Sequence, residues 1–202
     1  YLPMYLAIFD YIRKGAIGKI FNVTCSLGYD LRKKERVIRP ELAGGVLLDL
    51  GVYPLNLLAM LFGNDEAAIA SSSARLETGV DARDVIQFNF KGGRSATITL
   101  TLMYKADNRA MIYGDLGYIE IENMNCPEVF RIYHGDGTLA AEVKKPDKQI
   151  SGYEFEFMSA RNAIILGKIE TPNMPHSETL RILSITDLLR KQWNFKFPME
   201  EN

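Results

Sequence analysis

Asp49 and Tyr53 stand four positions apart in GGVLLDLGVYPLNLLAMLFG, residues 44 to 63, where nearly every neighbour is apolar. On a helix, positions i and i+4 lie one above the other, so this spacing places a carboxylate and a phenol on one stripe. Such a pair suits proton transfer: the phenol gives or takes a proton while the carboxylate orients a hydroxyl. A free phenol titrates near about 10, so work at neutral pH calls for a nearby cation. Asp49 pushes in the wrong direction, and no lysine stands beside the pair in the sequence. Gly51 lacks a side chain, which predicts an open approach to the backbone for a planar ligand. Pro54 has no N–H for the carbonyl of Leu50, which predicts a kink within this turn and a free acceptor. The same spacing also fits a core tyrosine whose hydroxyl is satisfied by Asp49.

The elements around this stripe are readable from periodicity. Residues 4 to 14 read as a helix stopped by Gly15. In GKIFNVTCSLGYD, Phe21, Val23, Cys25 and Leu27 face one side of a half-buried strand. LRKKERVIRPEL is a charged loop leading into the apolar stretch; it is either a solvated connection or the route by which Arg36 or Arg39 reaches a ligand there. From about residue 67 the period becomes two. DVIQFNFKGGRSATITLTL reads as a hairpin turning at Gly92-Gly93, and RAMIYGD, YIEIEN, VFRIYH and TLAAEVK read as further strands. Helices at roughly 153–166 and 176–193 close the chain. With no linker or repeat, residues 1–202 form a single domain of the α+β class: a large open, mostly antiparallel sheet with helices packed on one face. Thr97, Thr99 and Thr101 alternate with Ile98, Leu100 and Leu102, and together with Gln87 and Asn89 they predict an almost uncharged open face. A second subunit covering it, giving a homo-oligomer, competes with a plain exposed Thr-rich strand.

Composition narrows the function classes. The 202 residues are 47% hydrophobic and 24% charged with a formal net charge of -1, so no basic surplus points to nucleic acid. Cys25 and Cys126 are too few for a disulfide framework or a zinc cluster and read as small buried hydrophobes, which fits a reducing cytoplasm. No signal peptide is legible, and the chain opens on Tyr1 rather than Met, as if inside a longer protein. Val46–Phe62 has the length of a short membrane span, but Asp49, Gly51, Pro54 and Asn56 interrupt it and predict a buried soluble helix. GDGTLA (135–140) matches a dinucleotide fingerprint only formally: it lies between two β-type runs instead of opening a helix, and reads as a hairpin turn. His134 and His176 are isolated, and no metal site is expected.

The quoted stretch resembles the GGG-x-L-x-D-x-G-x-H segment in the C-terminal domain of the glucose–fructose oxidoreductase / inositol dehydrogenase (Gfo/Idh/MocA) family. YLPMYLAIFDYIRKGAIGKIFNV resembles the family's entry into that domain, YGDLGYIEIEN its glycine-punctuated strand pair, and residues 152–192 its closing helices. The resemblance implies a two-domain oxidoreductase that moves hydride between NAD or NADP and a small-molecule sugar, polyol or diol. It implies that the cofactor is bound mainly by an N-terminal Rossmann half absent from this chain, which alone is expected to be inactive. It carries the family Asp onto Asp49 and places Tyr53 where most members have His, as in the dihydrodiol and xylose dehydrogenase branch. Tyr53 is then the general base or acid, assisted by a lysine of the absent half, and Asp49 orients the substrate. Asn56 stands where many relatives have Asp. A domain that keeps the fold only for dimerisation or ligand sensing is the alternative.

Overall fold

The computed structural model describes residues 1–200. Eight strands make one sheet: β1 (Ile20–Gly28), β2 (Ala67–Arg75), β3 (Asp81–Phe90), β4 (Ser95–Thr101), β5 (Arg109–Gly114), β6 (Gly117–Ile121), β7 (Val129–His134) and β8 (Leu139–Lys144). Their spatial order is β2-β3-β4-β1-β5-β6-β7-β8. Every neighbouring pair is antiparallel except β1 and β4. Parallel neighbours need a long crossover, and here it contains the charged loop, the apolar helix and the β2–β3 hairpin. That crossover carries Asp49 and Tyr53 across the sheet.

One face is apolar. Val23, Cys25 and Leu27 of β1 and Ile98 and Leu100 of β4 are buried there, with Ile112, Ile119 and Phe130 continuing the core. Side chains of α1 (Pro3–Arg13), α2 (Glu35–Ile38), α3 (Val52–Phe62) and α5 (His176–Gln192) join this core, whereas α4 (Tyr153–Ile165) buries only Ala163. The architecture is the α+β sheet-and-helix layer expected from periodicity. Gly92 and Gly93 take φ of 79° and 75° at the β3–β4 turn, the left-handed conformations that a tight hairpin requires. GDGTLA is the turn between β7 and β8, with Asp136 accepting from the Thr138 amide. The run Pro40–Phe62 is long and apolar enough to cross a membrane, and 61% of its most apolar window is buried within the fold.

Three local expectations differ from the structure. Phe21 is 41% exposed, because the β1–β5 register shifts between Ile20 and Asn22 and a bulge breaks alternation. Thr101 is buried: Gly28 and Ala106 close over it, and its hydroxyl accepts the Met103 amide at 3.1 Å. The open face is low in charge across β1, β4 and β3, where Gln87 and Asn89 lie opposite Thr97 and Ser95; the rest of it is not. Over β5 to β7 it carries a row of Tyr113, Tyr118 and Tyr133, the last two stacked, with ring centroids 5.8 and 4.7 Å apart along the row, and ion pairs that link Arg109 and Arg131 to Glu120.

Candidate active site

Leu47–Gly51 forms a single π turn that runs directly into α3. Pro54 is the third residue of α3, in the first turn, where N–H groups have no acceptor within the helix, so its missing donor costs α3 no bond. The irregularity expected at Pro54 takes the form of this widened turn. Asn56 Nδ2 donates to the Val52 carbonyl at 2.7 Å, which ties the first turn of α3 together. Gly51, expected to admit a ligand, is buried, and a Cβ there would press on Leu47 and Leu100. Its role is to let the turn sit directly on β4.

Tyr53 is not a core residue satisfied by its neighbour. It is 40% exposed, whereas the Asp49 side chain is only 16% exposed and forms an ion pair with the Arg36 guanidinium. The contact with Asp49, and secondarily with Tyr53, raises the Arg36 pKa above its ordinary value. Of the two arginines that the charged loop offered, Arg36 is the one brought to the pair: the fold carries it in on α2, thirteen residues upstream of Asp49. Arg39 is not brought to the pair; it binds Glu35 at 2.6 Å and Glu41 at 3.5 Å.

Two glycines fix Arg36 against Asp49. The Gly44 amide donates to the Arg39 carbonyl at 3.0 Å and the Gly45 amide to the Val37 carbonyl at 2.8 Å. A Cβ at Gly44 would collide with those same carbonyls, so only glycine allows this approach. Gly45 adopts φ of +122° and lies against Asp81. Asp81, 2% exposed at the start of β3, accepts the Leu47 amide at 2.6 Å. It thereby caps the π turn from beneath.

Tyr53 is flanked by groups from three other elements. Its pKa is raised, first by burial of half the ring and then by Tyr153, Asp49, Glu156 and Tyr29. Tyr153 and Glu156 belong to α4, and Tyr29 follows β1, where its hydroxyl donates to Asn125 Oδ1 at 3.1 Å. Near neutral pH this phenol is protonated, poised to donate to a developing alkoxide beside a carboxylate that accepts from a hydroxyl. The sequence reading missed Tyr29, Tyr153, Glu156 and Asp81. α4 lies about a hundred residues from Tyr53, so nothing local signalled it. Among the described residues no group of three His, Cys, Asp or Glu side chains is placed to hold a metal ion.

Comparison with known proteins agrees with this architecture. A family model described as the GFO/IDH/MocA C-terminal domain matches residues 5–120. Trans-1,2-dihydrobenzene-1,2-diol dehydrogenase of Danio rerio is 28% identical over 201 residues, covering 95% of this chain and 59% of the relative. The enzyme of that name from Xenopus tropicalis is 26% identical, covering 98% of this chain and 62% of the relative. The chain therefore spans about three fifths of the length of these relatives. Among solved structures, KijD10, a 3-ketoreductase from Actinomadura kijaniata in complex with NADP and TDP-benzene, superposes with a TM-score of 0.82 at 20% identity, over 94% of this chain and 58% of that one. Aldose-aldose oxidoreductase from Caulobacter crescentus, complexed with glycerol, superposes with a TM-score of 0.79 at 20% identity, again over 94% and 58%. With more than half its length matched by the family model and its sheet shared with these oxidoreductases, this chain belongs to the GFO/IDH/MocA family and corresponds to its C-terminal domain.

Proposed function

We propose that this chain is the substrate-binding part of an NAD(P)-dependent oxidoreductase acting on a sugar, polyol or diol, with Tyr53 as its proton-transfer residue. The observation that carries the reading is the exposed Tyr53 phenol above an Arg36-paired Asp49 carboxylate. Relatives named as diol dehydrogenases support the substrate class. A neighbour in complex with NADP supports the cofactor class.

A dinucleotide's phosphates need a glycine-rich turn opening a helix. The one formal match here joins two strands instead, so that cradle is assigned to the part of the relatives' length that this chain does not span. What the chain offers a nicotinamide is an open wall next to Tyr53. The concentration of exposed apolar side chains on and just beyond α4, Phe157, Ile164, Ile165 and Ile169, supports a second body packing nearby.

When bound, the nicotinamide supplies the hydride chemistry. Tyr53 handles the accompanying proton. In reduction the neutral phenol gives its proton to the substrate oxygen; in oxidation the phenolate removes it. Burial raises the phenol's pKa, which favours the neutral form. Reduction should therefore hold its rate across neutral pH and decline on the alkaline side, while oxidation should rise with pH. Arg36→Gln removes a cation and unscreens Asp49, so Tyr53 should become harder to ionise. The acid limb of oxidation is expected to move to higher pH. An unmoved limb in the complete enzyme would show that Arg36 has no electrostatic hold on Tyr53.

We also assign the open face of the sheet to self-association. Thr97 and Thr99 present a low-charge surface beside Thr24 and Ser26, their partners in the β1–β4 register, and the tyrosine row extends it. A dimer burying this face should become monomeric on Thr99→Arg, because an unpaired buried guanidinium costs several kcal/mol, about 3 or more. Sedimentation of the complete protein at micromolar concentration checks this; unchanged dimer mass would place the interface elsewhere.

A further inference from the structure

Directly beneath the turn that carries Asp49 lie two acids that proton transfer to substrate does not use. Asp81 is 2% exposed and Asp84 is fully buried. Both sit on β3 under the π turn, Asp84 in phase with buried Ala82, Ile86 and Phe88. Neither oxygen of Asp84 has a hydrogen-bond partner. Across the β2–β3 ladder it faces Ser73, and across β3–β4 it faces Leu100. The Ser73 hydroxyl is likewise buried without a partner.

The charges around Asp84 leave one solution. Asp81 and Ser73 are the groups that act on it, and no cation is among them. Two ionised carboxylates buried side by side without a cation would be prohibitively costly. A proton between them removes one charge and supplies the missing donor, since a protonated acid carries an O–H. Asp81 is the partner that keeps the negative charge: the Leu47 amide donates to it at 2.6 Å, and the amides of Val46 and Leu47 both favour its ionised form.

We propose that Asp81 and Asp84 share one proton and, as a singly charged pair, hold the Val46–Leu47 amides so that the next turn presents Asp49 to substrate. Asp81 and Asp84 are positioning residues, and this role rests on the function assigned above to Asp49 and Tyr53. Burial and the charge of Asp81 raise the Asp84 pKa, so the proton stays at neutral pH and leaves in alkali. Once it has left, two like charges push against each other under the turn, Asp81 shifts from Leu47, and Asp49 loses its placement with respect to substrate. A buried acid with a raised pKa holds its proton in the folded state at pH values where the unfolded chain has released it. The contribution of Asp84 to stability therefore falls as pH rises above about 4, and levels off above the raised folded value.

The test uses the complete enzyme and its Asp84→Asn variant, which replaces the labile O–H by a permanent N–H donor of the same shape. Infrared spectra of the wild type at neutral pH should contain a protonated carboxylic acid carbonyl band that is absent from Asp84→Asn and titrates away in alkali. In the reductive direction the wild type should begin to lose kcat/KM, by about tenfold per pH unit, at that titration, before the higher limb set by Tyr53; Asp84→Asn should lack this first limb and keep the second. Its unfolding free energy should also decline less between acid and neutral pH. No acid carbonyl band in the wild type, or an alkaline limb unchanged in Asp84→Asn, would overturn the pair. The infrared and unfolding measurements require no turnover, so they stand even if Tyr53→Phe shows that the assigned chemistry is wrong.

Discussion

Tyr53→Phe in the complete enzyme is expected to lower kcat by about 10²-fold or more, the scale of lost general acid–base catalysis. The change removes one oxygen from a side chain that is 40% exposed and leaves the ring to pack as before, so the fold and its unfolding temperature should be nearly unaltered. A loss in kcat with little change in KM would place the hydroxyl in the transition state more than in binding. Asp49 cannot replace it, because its carboxylate is committed to Arg36 and is a far weaker base than a phenolate. Near-wild-type turnover in a folded Tyr53→Phe variant would remove the phenol from the chemistry.

Gly45→Ala should be the most damaging single methyl in the crossover. At φ +122° an L-residue is strained, and the added Cβ would land on the Asp81 carboxylate that caps the π turn. Relief would break the Leu47 bond, uncovering a buried charge, or pull Gly45 from the Val37 carbonyl and release α2 with Arg36. Backbone strain of this kind and a disturbed buried polar network together cost at least about 3 kcal/mol. The unfolding temperature of a domain this size should fall by about 6 °C or more. Gly63→Ala is a useful contrast, since it also has positive φ but opens onto free space and should cost only the backbone strain. Equal stability of Gly45→Ala and the wild type would contradict the packing of Gly45 on Asp81.

The sheet was legible because its strands alternate cleanly and its turns are marked by glycine. Ile98, Leu100 and Leu102 announce the buried face by their spacing, and the β3–β4 turn is written in Gly92-Gly93. The candidate stripe was legible for a different reason: Asp49 and Tyr53 are polar residues in a run that otherwise belongs to a core. What surrounds that stripe was not. Arg36 reaches Asp49 only because Gly44 and Gly45 let the loop fold back on itself, a close approach that periodicity does not encode. Gly51 was read as an opening toward ligand, when the absent side chain faces the sheet; a glycine says that something comes close, not what. Asp84 did leave a trace, since it shares the phase of Ile86 and Phe88 on an apolar face. A carboxylate at such a position needs a partner, and the partner, Asp81, is another acid.

The most direct measurement is a crystal structure of the complete protein with nicotinamide cofactor and an alcohol substrate or unreactive analogue. The substrate oxygen should lie about 2.6–3.2 Å from the Tyr53 hydroxyl and within hydrogen-bond reach of Asp49, with the carbon that bears it turned toward the nicotinamide. A substrate bound with its oxygen out of reach of Tyr53, in a closed complex whose nicotinamide is in place, would contradict the role given to this phenol.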